Sequence, residues 1–467
     1  MRIDSSERAG YFWLPETPEH QLPGTLTVSP GGRIELEVLG VFGGPDKHMF
    51  EQVPAPRIVG VTEQWGAVTL DRCFEIARTS AAGGITKTRV FAHLLIAGLI
   101  YGTDEPLVFE RFQFSLDGLN DWLCFSGIKV SHDLSARSST YTYQPQDEIA
   151  FELTPNIDGA LGFSYSLPGG PIDGKVTLTA RAVFSLLPAE PTSFEELTKT
   201  AQRIAHFFCF ATDQTVSMNT VRAQSPLEQV ENRSDEDTNG PLLSLVFQSL
   251  PYTEQLPRYV QNTMLFRFPQ IRDQVDKTFS RWISTYEVIQ PALDLYFSVR
   301  TGAYKYTEGR FLSLAQAIET LHRRTSDETA LPEKDFSDRI DGILAGCPDP
   351  DRKWLKGRLA YANELSLRNR IKRMIKPFSQ YFGDSKETNT FVSNVVSWRN
   401  YLTHYDAENH KAQVGKKELF PLCMKMEALL QLHWLTIVGF DDESIENIVS
   451  NSPALKEKLH GKPGFTA

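Results

Sequence analysis

Cysteine is scarce in this chain. There are five in 467 residues (Cys73, Cys124, Cys209, Cys347, Cys423), an odd number with no Cys-x-x-Cys pair. That pattern argues against a disulfide framework and a cysteine-held zinc site, and a reducing compartment is the simplest home for it. Long hydrophobic runs are missing too. The most apolar stretch, Ala92 to Ile100, falls well short of the roughly 20 residues that cross a bilayer. It reads as a buried strand or a short buried helix. Met1-Arg2-Ile3-Asp4 does not open a charged-then-apolar leader, so the expected location is cytoplasmic, with no membrane partner. There is no Gly-x-x-x-x-Gly-Lys-Ser/Thr loop, no Gly-x-Gly-x-x-Gly fingerprint and no Gly-x-Ser-x-Gly elbow. The run Ala81-Ala82-Gly83-Gly84 precedes a β-like segment and reads as a turn. An ATP-driven mechanism and a bound cofactor are therefore not expected. Positive charge is in deficit: the net charge is −10 and the pI is near 5.6. This argues against a general nucleic-acid coat but leaves room for a local basic surface.

What is present is ordinary for a globular protein, with 41% hydrophobic and 23% charged residues. The length suggests two or three domains. Candidate strands fill the first part: Arg33–Phe42, Ala67–Phe74, Val108–Ser115, Ser139–Tyr143, Glu148–Leu153 and Lys175–Phe184. Turn residues such as Pro155-Asn156 and Gly169-Gly170-Pro171 separate them. Many short strands punctuated in this way predict an antiparallel sandwich or jelly roll. Ser193 followed by Glu195-Glu196 marks a helix start. The acidic stretch from Gln224 to Pro241 reads as a mobile loop.

From about Arg258 the apolar period becomes helical. Trp282, Ile283, Tyr286, Ile289 and Leu293 form one stripe, with a kink expected at Pro291. Further stripes run through Phe311 to Leu321, Phe336 to Leu344, Ile371 to Phe382 and Leu422 to Leu435. The expected fold is α+β and multidomain. A β-rich sensing or regulatory domain spans residues 1–255, and an all-α bundle spans residues 256–467.

The chemistry concentrates in Ser397-Trp398-Arg399-Asn400-Tyr401-Leu402-Thr403-His404. A cation, an amide and an imidazole on one helix are a minimal kit for cutting RNA without a metal. The imidazole moves the 2′-hydroxyl proton and the cation holds the phosphate as its negative charge grows. At about 100° per residue, Asn400 and His404 share a helix face. Arg399 points about 140° away from His404, with a rise of roughly 7.5 Å between them. One helix does not aim both at one atom. Two copies about a two-fold axis can, which favours a composite site in a homodimer or higher even oligomer. Between Arg352 and Lys376 stand nine basic residues and one acid, Glu364. Lys356, Arg368, Arg370, Lys372 and Arg373 are the expected RNA-binding residues of this stretch; a solvated helix face is the plain reading of the same charges. Tyr401 and Tyr405 can stack on an unpaired base. His404, Asp406 and His410 have no zinc-like spacing, so no metal is expected.

The stretch Phe391 to His404 resembles the motif helix of HEPN-superfamily ribonucleases, most closely the ApeA-like branch. Phe311 to Leu321 is similar to that family's acidic-residue helix, with Glu319 at the acidic position. Gly10-Tyr11-Phe12-Trp13-Leu14-Pro15 with Pro23-Gly24-Thr25-Leu26 resembles the start of the β domain that precedes it. The resemblance implies a HEPN-like bundle with Arg399, Asn400 and His404 as catalytic residues and Glu319 and Tyr401 in support. It also implies an anti-phage defence role by abortive infection. The implied partners are RNA, with tRNA the first substrate expected, and a phage-derived trigger. Two other readings stand beside it. In one, the β-sandwich recognises a carbohydrate or protein partner and the helical part only dimerises. In the other, a regulatory HEPN protein binds nucleotide or RNA without cutting.

Overall fold

A computed structural model of the chain describes residues 1–43, 56–80, 86–166, 175–227, 242–257, 263–300, 306–404 and 419–461. Gly83-Gly84, most of the Gln224 to Pro241 stretch, Tyr405, Asp406 and His410 lie outside the described residues. The chain divides into two compact units, Met1–Ile283 and Ser284–Ala467.

In the first unit, six strands close on themselves: β1 (Ser6–Trp13), β2 (Leu22–Ser29), β3 (Arg33–Leu39), β4 (Arg57–Thr62), β5 (Gly66–Ser80) and β6 (Thr86–Ala97). Around the ring the order is β1-β2-β3-β6-β5-β4 and back to β1, every pair antiparallel. Alternation explains the inside. Ile34, Leu36 and Val38 are fully buried, while Glu35 and Glu37 between them are not. Gly10 and Gly24 face each other across β1 and β2. A Cβ there would lie 2.4 Å from the Val61 oxygen and 2.6 Å from the Glu37 oxygen, respectively. Glycine is what lets β1 lie so close to β4, and β2 to β3.

The long β6 changes partners along its length. Lys87–Ala92 pairs with β3, whereas Leu94–Ala97 takes up a later strand, β16. The sheet thereby leaves the barrel. The chain continues through β7 (Val108–Phe109), which pairs outside this sheet, and β8 (Arg111–Leu116), which belongs to it, then a short helix α1 (Leu119–Leu123) and the exposed hairpin of β9 (Ile128–Asp133) and β10 (Ser138–Tyr143), a small sheet of its own. The sheet is completed by β11 (Ile149–Thr154), β12 (Ile157–Ser166), β13 (Thr179–Pro188), β15 (Met218–Gln224) and β16 (Leu243–Phe247), while β14 (Thr192–Ser193) pairs with β7 outside it. The order in this extension is β16-β15-β8-β13-β12-β11. The expected antiparallel β-rich domain is present. Twelve of its strands form one continuous sheet with a closed barrel at one end, because β6 is long enough to serve both parts, rather than two facing sheets.

Helix α2 (Phe194–Thr212) starts where Ser193 accepts from the Glu196 amide at 3.3 Å, an ordinary N-cap. It covers one face of the extension. Phe114 and Phe184 of the sheet stack at 5.4 Å between ring centres, and Phe207 of α2 lies 4.5 Å from Phe279. Phe279 belongs to α3 (Val275–Arg300), which continues through Pro291.

The second unit is helical: the remainder of α3, then α4 (Thr307–Thr325), α5 (Glu333–Ala345), α6 (Asp349–Leu359), α7 (Leu367–Ile375), α8 (Ser385–His404), α9 (Leu419–Val438), α10 (Asp442–Asn451) and α11 (Pro453–His460). Helix α9 is apolar on most of its circumference, with Leu422, Met426, Leu429, Leu430 and Leu435 buried. Helices α4, α7, α8 and α11 pack around it. The stripe from Phe336 to Leu344 was expected in the core and is not there. Helices α5 and α6 hold no buried residue and pack chiefly on each other, leaving Ile343 and Trp354 exposed. No helix among the described residues is long and apolar enough to cross a membrane.

Candidate functional site

Helix α8 is oriented by its apolar stripe. Phe391, Val392, Val395, Trp398 and Leu402 are buried, at the three- and four-residue steps of one face. Asn400 and His404 are consequently exposed on the opposite side, and Arg399 lies half-exposed on the flank. That flank faces α4, where Arg399 Nη2 meets Glu319 Oε2 at 3.5 Å. Its Nη1 donates to Asn400 Oδ1 at 3.1 Å. The Thr403 hydroxyl donates to the Arg399 carbonyl oxygen at 2.7 Å. Tyr401 is half-buried and sits edge-on to Trp398, 5.9 Å between ring centres. His404 closes the helix and has no partner among the described residues.

Glu319 is itself held in place. One helical turn on, Arg323 donates to Glu319 at 3.1 Å and to Glu364 at 2.6 Å. These two residues were not singled out from the sequence. Arg323 carries a readable signal, since a glutamate four residues before an arginine on a helix is a favourable pair. Glu364 has one too, as the single acid of the basic stretch. The pair between Arg399 and Glu319 is open to water, with side chains 36% and 22% exposed. Such pairs contribute under about 1 kcal/mol, so Glu319 orients the guanidinium without holding it tightly.

The basic stretch is partitioned by the fold. Arg370, expected among the RNA-binding residues, is turned inward and 4% exposed. It shares the inner face of α7 with Ile371, Met374 and Ile375. Its Nε donates to the Leu365 carbonyl at 2.9 Å, and its Nη1 approaches Nδ1 of the buried His322 at 3.2 Å. Burial, then the charge of Arg370, pushes the His322 imidazole toward its neutral form, which leaves Nδ1 to accept that hydrogen bond. Arg370 is thus an internal cation, because its spacing from Met374 puts it on the core face. Arg373 pairs with Glu328 at 3.0 Å, and Arg368 reaches Ser393 of α8 at 3.4 Å. Lys356 and Lys372 are exposed without a partner among the described residues.

The geometry brings Arg399, Asn400 and Glu319 together and sets His404 apart on the free face. Within one chain, no described group places a second base or acid beside Arg399. No cluster of three metal-ligating side chains occurs among the described residues.

Comparison with known protein families finds two matches. Residues 7–282 match the family model described as ApeA N-terminal domain 1, and residues 312–444 match the one described as Apea-like HEPN. The first covers more than half of the chain; the second contains Glu319, Arg399 and His404. No curated protein and no solved structure matches.

Proposed function

The chain belongs to the ApeA family, an ApeA-type N-terminal domain followed by an Apea-like HEPN domain, and on that footing we propose that it is a metal-independent endoribonuclease. The HEPN domain carries a nuclease-like role in ApeA-type defence. The finer reading concerns the reaction and its residues. The observation that carries it is the disposition of α8: a loosely held Arg399 on its flank, and His404 exposed on the face turned away from the core.

In this reading two copies of α8 meet about a two-fold axis and their arginines and histidines line one groove. One His404 takes the proton from a ribose 2′-hydroxyl, and the freed oxygen attacks the adjacent phosphorus. Arg399 leaves Glu319 to neutralise the pentavalent centre, with Asn400 keeping its guanidinium in place. The second His404 gives a proton to the departing 5′-oxygen. Products carry a 2′,3′-cyclic phosphate and a 5′-hydroxyl. DNA lacks the nucleophile and survives. Lys356, Arg368 and Lys372 supply long-range attraction for the RNA backbone. Transfer RNA is the first substrate to test, and the β-rich domain is assigned the restraint that a host-damaging nuclease requires, released by a phage-derived trigger.

The test is RNA cleavage by purified protein in EDTA, wild type against His404→Ala, with both variants sized in solution. Cutting by the wild type alone, at equal oligomeric state, supports the assignment. Equal cutting by both variants removes His404 from the reaction. A changed oligomeric state in His404→Ala, with no cutting by either, favours an interface role for the motif.

A further inference from the structure

The sheet extension of the first unit has a polar face of its own, on the side away from α2. Arg222 of β15 lies opposite Gln113 of β8, and Thr220 opposite Ser115. Two strands further along, Ser164 of β12 lies opposite Arg181 of β13. Side chains alternate along a strand, so these six share one face, while Phe112, Phe114 and Phe184 turn to the buried side. They line a concavity of about 270 Å³.

Two arginines, Arg181 and Arg222, line it. Arg181 reaches back across β8, and its Nη1 donates to Thr220 Oγ1 at 2.7 Å. With neighbouring strands about 4.8 Å apart, this carries a cation from β13 to β15, two residues from Arg222. Neither arginine has a carboxylate partner among the described residues. The contrast is Arg111, on the same face and neutralised by Glu148. Two unneutralised cations side by side repel each other, in a chain whose overall charge is −10. An oxyanion between them relieves that repulsion, and guanidinium groups are well shaped for it. Hydroxyl groups of Ser164 and Ser166 complete the surround.

We infer that this concavity is a binding site for a small phosphate-bearing ligand, its phosphate seated between Arg181 and Arg222. Two full positive charges match a phosphate dianion, and the hydroxyls serve its remaining oxygen. The volume is slightly below the range of about 300–1,000 Å³ typical of small-molecule pockets, which limits the occupant to about the size of a mononucleotide. The site lies wholly in the ApeA-type unit and is independent of the reaction assigned to α8.

Calorimetric titration of the full chain at low salt tests it, with inorganic phosphate, adenosine 5′-monophosphate and adenosine as probes. Phosphate or the nucleotide binds and adenosine does not. Arg222→Gln, an exposed position without contacts to lose, weakens binding by at least about tenfold at an unchanged melting temperature. Arg222→Lys keeps most of it. Tighter binding of the nucleotide than of phosphate identifies a nucleotide ligand; equal binding identifies free phosphate. The inference is overturned if neither phosphate probe binds, if adenosine binds as well as the nucleotide, or if Arg222→Gln binds like the wild type.

Discussion

A single carboxylate sets the state of the candidate site. Glu319 is fixed by Arg323, which Glu364 fixes in turn, and it meets Arg399 at 3.5 Å. Its effect on the arginine is orientation more than strength. On the proposed function, Glu319→Gln is therefore expected to lower kcat roughly tenfold, the equivalent of about 1.4 kcal/mol, without raising KM, since removing the acid makes the surface around Arg399 more attractive to an RNA phosphate. Single-turnover and steady-state rates on one RNA check this. A raised KM with unchanged kcat would instead make Glu319 a substrate-binding group. The neighbourhood of Glu319 is legible in sequence through its spacing to Arg323. Its approach to Arg399, 80 residues away, required the packing of α4 on α8.

Among the elements, α9 depends on a buried charge. Glu427 is 1% exposed and gathers Arg310, Arg300 at 3.6 Å and Lys458 at 3.8 Å. Removing the carboxylate leaves three cations facing one another in a poorly hydrated place. Glu427→Gln is expected to destabilise the helical unit by about 3–5 kcal/mol, read as a lowered denaturation midpoint by circular dichroism. A shift under about 1 kcal/mol would mean that water screens the cluster. Apolar periodicity predicts that α9 is central, but it does not predict a glutamate on its inner face. Arg370 teaches the same lesson on α7. Arg370 lies on the apolar side of an amphipathic helix, where counting charges suggests a solvated surface and the helical angle dictates burial, and Glu427 lies on a helix buried over most of its circumference. The α5 and α6 pair fails in the other direction. Its stripe is apolar enough for a core, yet among the described residues α5 and α6 bury no side chain.

At the scale of the whole molecule, each unit holds a histidine that burial keeps neutral. His206 of α2 is 6% exposed and pushed down to about 4, and His433 of α9, its Nε2 set against the Met374 carbonyl at 2.9 Å, is also pushed down to about 4. An unfolded histidine titrates near 6.5, so between pH 6.5 and pH 4 the unfolded chain binds more protons than the folded one. Stability is then lost as pH falls through this window, on the order of 3 kcal/mol for His206 alone. Melting temperatures at pH 7 and pH 4.5 are expected to show a marked drop, reduced in His206→Gln. An equal drop in that variant would assign the acid sensitivity to carboxylates.

The local chemistry of this protein was written in its order of residues: strands such as β3, β8 and β11, the helical stripes of the second unit, where α2 begins, and that Arg399, Asn400 and His404 share one helix. Those properties depend on neighbours within a turn or two, and alternation or a 3.6-residue period reveals them. Closure of β1 to β6 into a barrel, the inward turn of Arg370, the contact of Glu319 with Arg399 and the placing of Arg181 and Arg222 in one concavity were decided by the tertiary structure. Each joins groups on separate elements, and their proximity depends on how whole strands register and helices pack, which no local pattern encodes.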